Sequence, residues 1–449
     1  MRTFLNWFTG HPVRLVPVGF AAAIALTTIL LLLPISQSGR AETGFLDALY
    51  IGTSAITVTG LITLDTATHW SLFGEAVLMV AMQVGGLGIM VSAAFLGLIV
   101  SKRLGLRSRM MAQAEANRAI NMGDVKTVIV RAVLVMLTVE LTTGALLALR
   151  FYFGHGFGRF EAIWQGLFHG ISAFNSGGFS LFSDSMEGFV HDPWVIGPII
   201  VAAVIGGLGM PVLFELARRN WGHAKWTLHT KMTLTGTTIL FVGGFFVYLA
   251  FEWSNPGTLG PFAWHDKLLP ALFNEVMLRS TGFNSIDVAS MHTHTQLSAI
   301  VLMFIGGGAA STAGGIKVTT FFVLLWVIWS EVRGEPDASA FRTRLGEPVI
   351  RQALSVALVY VAFIAAGTIV MQMFEPHIDL AHILFEATSA GATVGQSAGI
   401  TPDLSGPSKV VSIVLMYGGR IGPVLFATSL AIRTRQRLYR YPEGRPLVG

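Results

Sequence analysis

The stretch Thr57-Val58-Thr59-Gly60-Leu61 recurs three times in degenerate form. The later copies are Asn175-Ser176-Gly177-Gly178-Phe179, Arg279-Ser280-Thr281-Gly282-Phe283 and Ala392-Thr393-Val394-Gly395-Gln396. The shared glycines, Gly60, Gly178, Gly282 and Gly395, are separated by 118, 104 and 113 residues. Ten positions before each stands a large residue: Tyr50, Phe168, Leu272 and Phe385. The chemistry such stretches can do is that of the backbone. Rings of carbonyl oxygens replace the water shell of a monovalent cation. Four short loops meeting around one axis would form a cation pathway.

A second constellation lies further along. Gly306 to Gly315 (Gly306, Gly307, Gly308, Ala309, Ala310, Ser311, Thr312, Ala313, Gly314, Gly315) holds five Gly, three Ala, one Ser and one Thr inside a long apolar run, with Lys317 just after it. Glycine in a helix interior costs about 1 kcal/mol relative to alanine. The run therefore predicts a broken helix whose irregular segment faces protein or water, a candidate gate beneath the loops. Arg420 lies in another apolar run, and a guanidinium there must face protein or water. It is placed to bond carbonyls freed by the break, with pairing to Glu140 or Glu215 as the structural alternative. Lys317 either holds the gate segment or snorkels. Arg279, inside the third copy, has Glu275 one turn earlier as its expected partner. Asp47 and Glu386 read as supports of the loops.

Other chemistries are excluded. Gly308 to Lys317 has glycines and a lysine but not the Gly-Lys-Ser/Thr spacing of a phosphate loop. No HExxH or His–Cys zinc pattern is present, and there is no Cys. The chain shows no means of hydrolysing ATP, and neither an enzyme nor a resident cofactor is expected.

The elements that must position these residues follow from apolar length. The 449 residues are 53% hydrophobic and 12% charged, against about 25% charged in soluble proteins. An all-α polytopic membrane protein is expected. Eight runs are long enough to cross about 30 Å of hydrocarbon, at 13–34, 71–100, 125–153, 194–217, 231–253, 296–330, 350–374 and 408–432. The first is too long for a signal peptide's apolar region. Between paired runs lie segments at 45–56, 161–174, 266–278 and 379–391, too short to span and read as re-entrant half-helices, each ending in one copy of the motif. The predicted organisation is helix, pore loop, helix, four times, with repeats at 1–105, 106–222, 223–340 and 341–449. Gly pairs at Gly85-Gly86, Gly206-Gly207, Gly306-Gly307 and Gly418-Gly419 follow the loops and suit close helix approach. In the first two repeats packing alone is the expected role.

Charge sets the orientation. Of 30 Lys and Arg, 22 fall on the side away from the motif copies, at both termini and in the connections near 102–131, 218–231 and 333–351. Both termini are thus expected in the cytoplasm, with all four loops entering from outside. The net charge of +5 reads as this asymmetry and not as nucleic-acid binding.

Four helix–loop–helix units, one glycine per loop, the Gly-Ala-Ser-Thr break in the third unit and Gly419-Arg420-Ile421-Gly422-Pro423 in the fourth resemble the Trk/Ktr/HKT superfamily of potassium transporters. The early first repeat and eight spans look like a KtrB-type membrane subunit. The resemblance implies a potassium filter at Thr57, Val58, Thr59, Gly60, Asn175, Ser176, Gly177, Gly178, Ser280, Thr281, Gly282, Thr393, Val394 and Gly395. It implies a gate at Gly306–Gly315 restrained by Arg420. It further implies a homodimer with one pore per protomer, a cytoplasmic KtrA/TrkA-type nucleotide-binding regulatory ring, a plasma-membrane location and sodium as an activator. In the plant HKT branch, Ser at the first filter position accompanies sodium selectivity, so Gly60 favours potassium. Asn175-Ser176-Gly177 and Arg279-Ser280-Thr281 depart from Thr-Val-Gly and leave the strictness of selection open. A secondary active transporter coupled to sodium or protons is the alternative; loops all entering from one side argue against its usual inverted repeats.

Overall fold

The computed structural model describes residues 15–39, 42–103, 125–217 and 226–432. Both termini and much of the basic connections near 102–126 and 218–225, on which the expected orientation rests, lie outside the residues or side chains described. The fold is helical, apart from a small hairpin pairing Ser339–Ala340 with Thr343–Arg344.

Four short helices lead into the motif copies: α2 (Phe45–Thr57), α6 (Arg159–Asn175), α10 (Leu268–Met277) and α14 (Leu380–Gly391). At 1.5 Å per residue none except α6 exceeds about 20 Å, less than a hydrocarbon core. Their ends are written locally. Gly44 and Gly158 stand extended before α2 and α6, and Asp47 and Glu161 occupy the first turns, where a carboxylate suits the helix dipole. Both helices stop where the next residue turns left-handed, at Val58 (φ 53°) and Ser176 (φ 61°).

The longer helices surround these four. They are α1 (Leu15–Leu32), α4 (Leu72–Arg103), α5 (Val125–Gly154), α7 (Pro193–Leu208), α9 (Leu228–Glu252), α13 (Glu347–Phe374) and α15 (Gly406–Ile432). Among the described residues, four helices are long and apolar enough to cross a membrane. In α9 that window is only 22% buried, so its apolar surface is left for lipid. The short helices bury their large side chains instead: Tyr50, Phe168, Phe273 and Phe385 are fully enclosed.

Two of the expected spans are interrupted. The run at 296–330 is α11 (Thr293–Phe304) and α12 (Val318–Val332), separated by the Gly/Ala segment. The run at 194–217 is α7 followed by α8 (Met210–Leu216), bent by 103°. The second break lies at Gly209, just past the Gly206-Gly207 pair, and was not expected. Gly209 takes φ 90°, Pro211 opens the new helix, and a Cβ on Gly209 would collide with the Ala309 carbonyl. Chain from the third repeat is wedged into the bend of the second.

A closed ring of glycines above a buried loop

The four motif copies share one backbone conformation. Each has positive φ at the shared glycine and again two residues earlier. The pairs are Val58 and Gly60 (53° and 96°), Ser176 and Gly178 (61° and 69°), Ser280 and Gly282 (89° and 79°), and Thr393 and Gly395 (49° and 94°). Left-handed backbone is uncommon outside glycine, so four coincident pairs mark one repeated loop.

The glycines also touch in cyclic order. A Cβ on Gly60 would stand 2.7 Å from the Gly177 carbonyl oxygen and 3.0 Å from Gly178 Cα. On Gly178 it would meet Thr281 O at 2.7 Å, and on Gly282 it would meet Val394 O at 2.6 Å. On Gly395 it would strike Thr59 O, which closes the circle. Each glycine is pressed against the carbonyl preceding the next glycine. A cavity of about 260 Å³ opens over all four, lined also by Asn284, Asp287 and Ser397.

Behind the ring, three repeats are built alike. The amide before each glycine donates to a serine carbonyl: Thr59 to Ser54 (2.8 Å), Gly177 to Ser172 (2.7 Å) and Val394 to Ser389 (2.9 Å). The Ser54 and Ser389 hydroxyls accept from the Gly60 and Gly395 amides at 3.0 and 3.1 Å, while Ser172 Oγ donates to Phe179 O. These serines, six residues before the glycine, escaped the sequence reading; aligning the copies one turn further back exposes them. The packing glycines have one task in these repeats. A Cβ on Gly85, Gly206 or Gly419 would collide with the carbonyl of Ile56, Phe174 or Gly391, always four residues before the ring glycine.

The third repeat departs. Gly282 N donates to Met277 O, five residues back, and the enclosed aromatic residue is Phe273. Leu272, the expected large buried residue, is 39% exposed. From enclosed aromatic to glycine the third repeat is one residue shorter, Phe273 to Gly282, and Leu272 faces outward.

The predicted loop residues Thr57, Val58, Thr59, Asn175, Ser176, Ser280, Thr281, Thr393 and Val394 are all nearly inaccessible. Asn175 uses its side chain away from the ring. Its Nδ2 donates to Glu140 Oε1 (2.7 Å), Gln83 Oε1 (3.0 Å) and Ile171 O (3.0 Å). Gln83 and Glu140 are supports that the sequence did not reveal as a pair.

Beneath the ring lies the segment Gly306–Gly315. Its base is pinned shut by Gly306 N to Ile316 O (2.9 Å), Ile316 N to Phe304 O (3.1 Å) and Val318 N to Gly307 O (3.0 Å). Gly308 N and Thr312 N donate to Gly207 O and Gly206 O at the end of α7. Thr312 Oγ1 reaches Phe174 O (3.1 Å) and Ser176 Oγ (3.0 Å). Arg420 Nη1 donates to Thr312 O at 2.6 Å, and Lys317 Nζ to Ala313 O at 2.7 Å. Neither alternative partner takes Arg420: Glu140 is engaged as above, and Glu215 accepts from Thr227 and Thr230. Lys317 folds back onto the segment instead of snorkelling.

The expected Arg279–Glu275 pair is made through charge attraction alone, since neither Glu275 oxygen has a hydrogen-bond partner. No ion pair joins them within 4 Å, and Arg279 Nη2 donates to Gly306 O at 2.5 Å, its guanidinium lying 5.3 Å from the Phe241 ring centre. Both residues are at the end of α10, and Arg279 is turned toward the broken helix. Asp47 pairs with Lys409 (2.9 Å), and Glu386 accepts from Ser397 and Thr401, as supports. Among the described residues no cluster of three or more His, Asp or Glu side chains could hold a metal ion.

Comparison with known proteins places this architecture. The family model described as TrkH, cation transport protein, matches residues 16–437. The chain belongs to the TrkH cation transport family. This TrkH-family chain is 38% identical over 445 residues to the Ktr system potassium uptake protein B of Bacillus subtilis, covering 99% of this chain and 98% of the relative. It is 37% identical to the protein of the same name from Vibrio alginolyticus, covering 98% and 95%. It is 33% identical to the potassium/sodium uptake protein NtpJ of Enterococcus hirae, covering 98% and 97%. The crystal structure of the potassium transporter TrkH from Vibrio parahaemolyticus shares the fold, with a TM-score of 0.68 at 19% identity, over 93% of this chain and 85% of that one. Family membership and the apolar helices make the chain a multi-pass membrane transporter.

Proposed function

We propose that this protein takes up potassium across the plasma membrane through the ring at Gly60, Gly178, Gly282 and Gly395. In this reading the helices form eight spans, all four short helices enter from outside, and both termini are cytoplasmic. The observation that carries it is the closed cycle of glycine–carbonyl contacts. A ring of carbonyl oxygens selects a cation by replacing its water. The short helices point their C-terminal ends, with partial negative charge, at the same place.

The segment Gly306–Gly315 lies across the route below the ring and acts as the gate. Arg420 and Lys317 hold it there through Thr312 O and Ala313 O. Two cations beside the path also repel ions while the segment is seated. The names of the Bacillus and Vibrio relatives support potassium as the ion. The word "system" in them supports a separate regulatory component. We assign that role to a cytoplasmic KtrA/TrkA-type nucleotide-binding ring beneath a homodimer, with sodium as activator.

Rubidium uptake into proteoliposomes tests this reading. Flux driven by a potassium diffusion potential alone is the expected result. Flux only in the presence of a sodium or proton gradient would shift the function to ion-coupled transport. No flux with the regulatory ring supplied would overturn both.

A further inference from the structure

The two ends of the Gly/Ala segment are fastened to two successive residues of the third motif copy. At one end, Arg279 Nη2 donates to Gly306 O at 2.5 Å. At the other, Gly314 N donates to Ser280 Oγ at 2.7 Å. The same Ser280 hydroxyl donates onward to Thr393 O at 2.9 Å, in the fourth copy. One side chain thus joins the segment, the third loop and the fourth. Its backbone has φ 89°, strained for any residue with a Cβ, and its side chain has no exposure.

Arg279 is a second anchor. It is 5% exposed, and its Nε and Nη1 lack hydrogen-bond partners. Its buried charge is met by a single carbonyl, a ring face and the attraction of the Glu275 carboxyl nearby. Glu275, one turn away, is fully buried with neither oxygen bonded. The position is adjacent to Thr281 of the ring and to Gly307 of the segment, which line the same small cavity as Arg279. Elsewhere the segment touches the second copy through Ser176 and presses Gly314 against Ala392 O and Thr393 Oγ1.

We propose that Arg279 and Ser280 are positioning residues that make ion discrimination depend on the state of the segment. While the segment is seated, Gly314 holds the Ser280 hydroxyl aimed at Thr393 O, and Gly306 holds Arg279. When the segment withdraws, both residues lose a partner, and the third and fourth corners of the ring relax. Selection is then strictest near the closed state and weakens as the gate opens. This rests on the gate reading above.

The test uses the full-length protein with its regulatory ring in proteoliposomes and reads the rubidium-to-sodium flux ratio. Ser280→Ala removes the hydroxyl and leaves the Cβ. It is expected to lower the ratio about fivefold, the factor set by one lost neutral hydrogen bond. Ser280→Thr keeps the hydroxyl and is expected to retain at least half of the ratio. In a chain lacking Ala309–Ala313, the ratio is expected to be low already, and Ser280→Ala is expected to change it less than twofold further. Additive effects in the double variant, or an unchanged ratio in Ser280→Ala, would overturn the coupling while leaving the gate in place. A deletion that leaves total flux unchanged would remove the gate itself, and the coupling with it. Arg279→Gln provides the same comparison from the other anchor should Ser280→Ala not be recovered as folded protein.

Discussion

The first and third repeats build equal corners of the ring by different means. In the first, Ser54 supports the loop twice, with its carbonyl to Thr59 and its hydroxyl to Gly60. The following helix sits flush against that loop, with Gly85 on the Ile56 carbonyl. In the third, Val276 stands six residues before the glycine and offers no hydroxyl, the enclosed aromatic stands one residue nearer the glycine, and the following helix is broken. The third corner keeps its Thr281 and Gly282 amides on Met277 O and adds Ser280 and the segment below it. The first corner is hydrogen-bonded within its own repeat, and the third also to the segment proposed as the gate. The asymmetry of the molecule is therefore concentrated where the proposed gate meets the ring.

The comparison can be broken at several points. The largest effect is expected at the first corner. Gly60→Ser puts a Cβ against Gly177 O and Gly178 Cα at φ 96°, a strain of about 1–3 kcal/mol that the ring must absorb. The rubidium-to-sodium flux ratio should fall roughly tenfold or more; an unchanged ratio would take Gly60 out of the selecting surface. Next comes Arg420→Ala, which frees Thr312 O. Basal rubidium flux without the regulatory ring should rise by about tenfold, the low end of one charge-assisted hydrogen bond. A fall in flux would contradict the restraint.

A smaller effect sharpens the contrast itself. Ser54→Ala removes the hydroxyl beneath Gly60 and should weaken potassium affinity about threefold to fivefold in a flux titration. Val276→Ala at the corresponding step of the third repeat should leave it within twofold. Equal effects would mean that the two corners are supported alike. The smallest effect is expected away from the ring. Burial raises the Asp192 carboxyl, but hydrogen bonds from Arg150 and His155 outweigh it and hold its pKa below 3.8. Its contribution to stability is complete above pH 3.8 and is lost as the pH falls through the lower folded value. Arg150 is partly exposed, so the loss should be at most about 2 °C in Tm between pH 5 and pH 2.5. Asp192→Asn should abolish that part of the acid dependence.

How far these features were legible depends on the range of the cause. The short helices are written in apolar length and the shared glycines lie three to five residues past their ends, so the four copies could be aligned without coordinates. The bend at Gly209 was also written locally, as Gly209 followed by Met210 and Pro211, but a continuous apolar run masked it. The third repeat misled the alignment because Leu272 and Phe273 are both large and apolar. Only the rotation of α10 decides which is buried, and it goes with a spacing from aromatic to glycine that is one residue shorter than in the other repeats. The contact of Arg279 with Gly306 was not legible at all. It joins residues 27 apart through a carbonyl, and no periodicity or residue type points to a carbonyl. Glu275 four residues away was the obvious local partner, and tertiary packing left that pair without a hydrogen bond.

The break in α11–α12 has one further consequence. A pore assembled from four identical chains would carry four identical barriers, free to move one at a time. Here a single stretch of a single chain touches the second, third and fourth corners. On the gate reading, each protomer's pore should therefore switch abruptly between two levels in electrical recordings, without the staircase of partial conductances that independent leaves would produce.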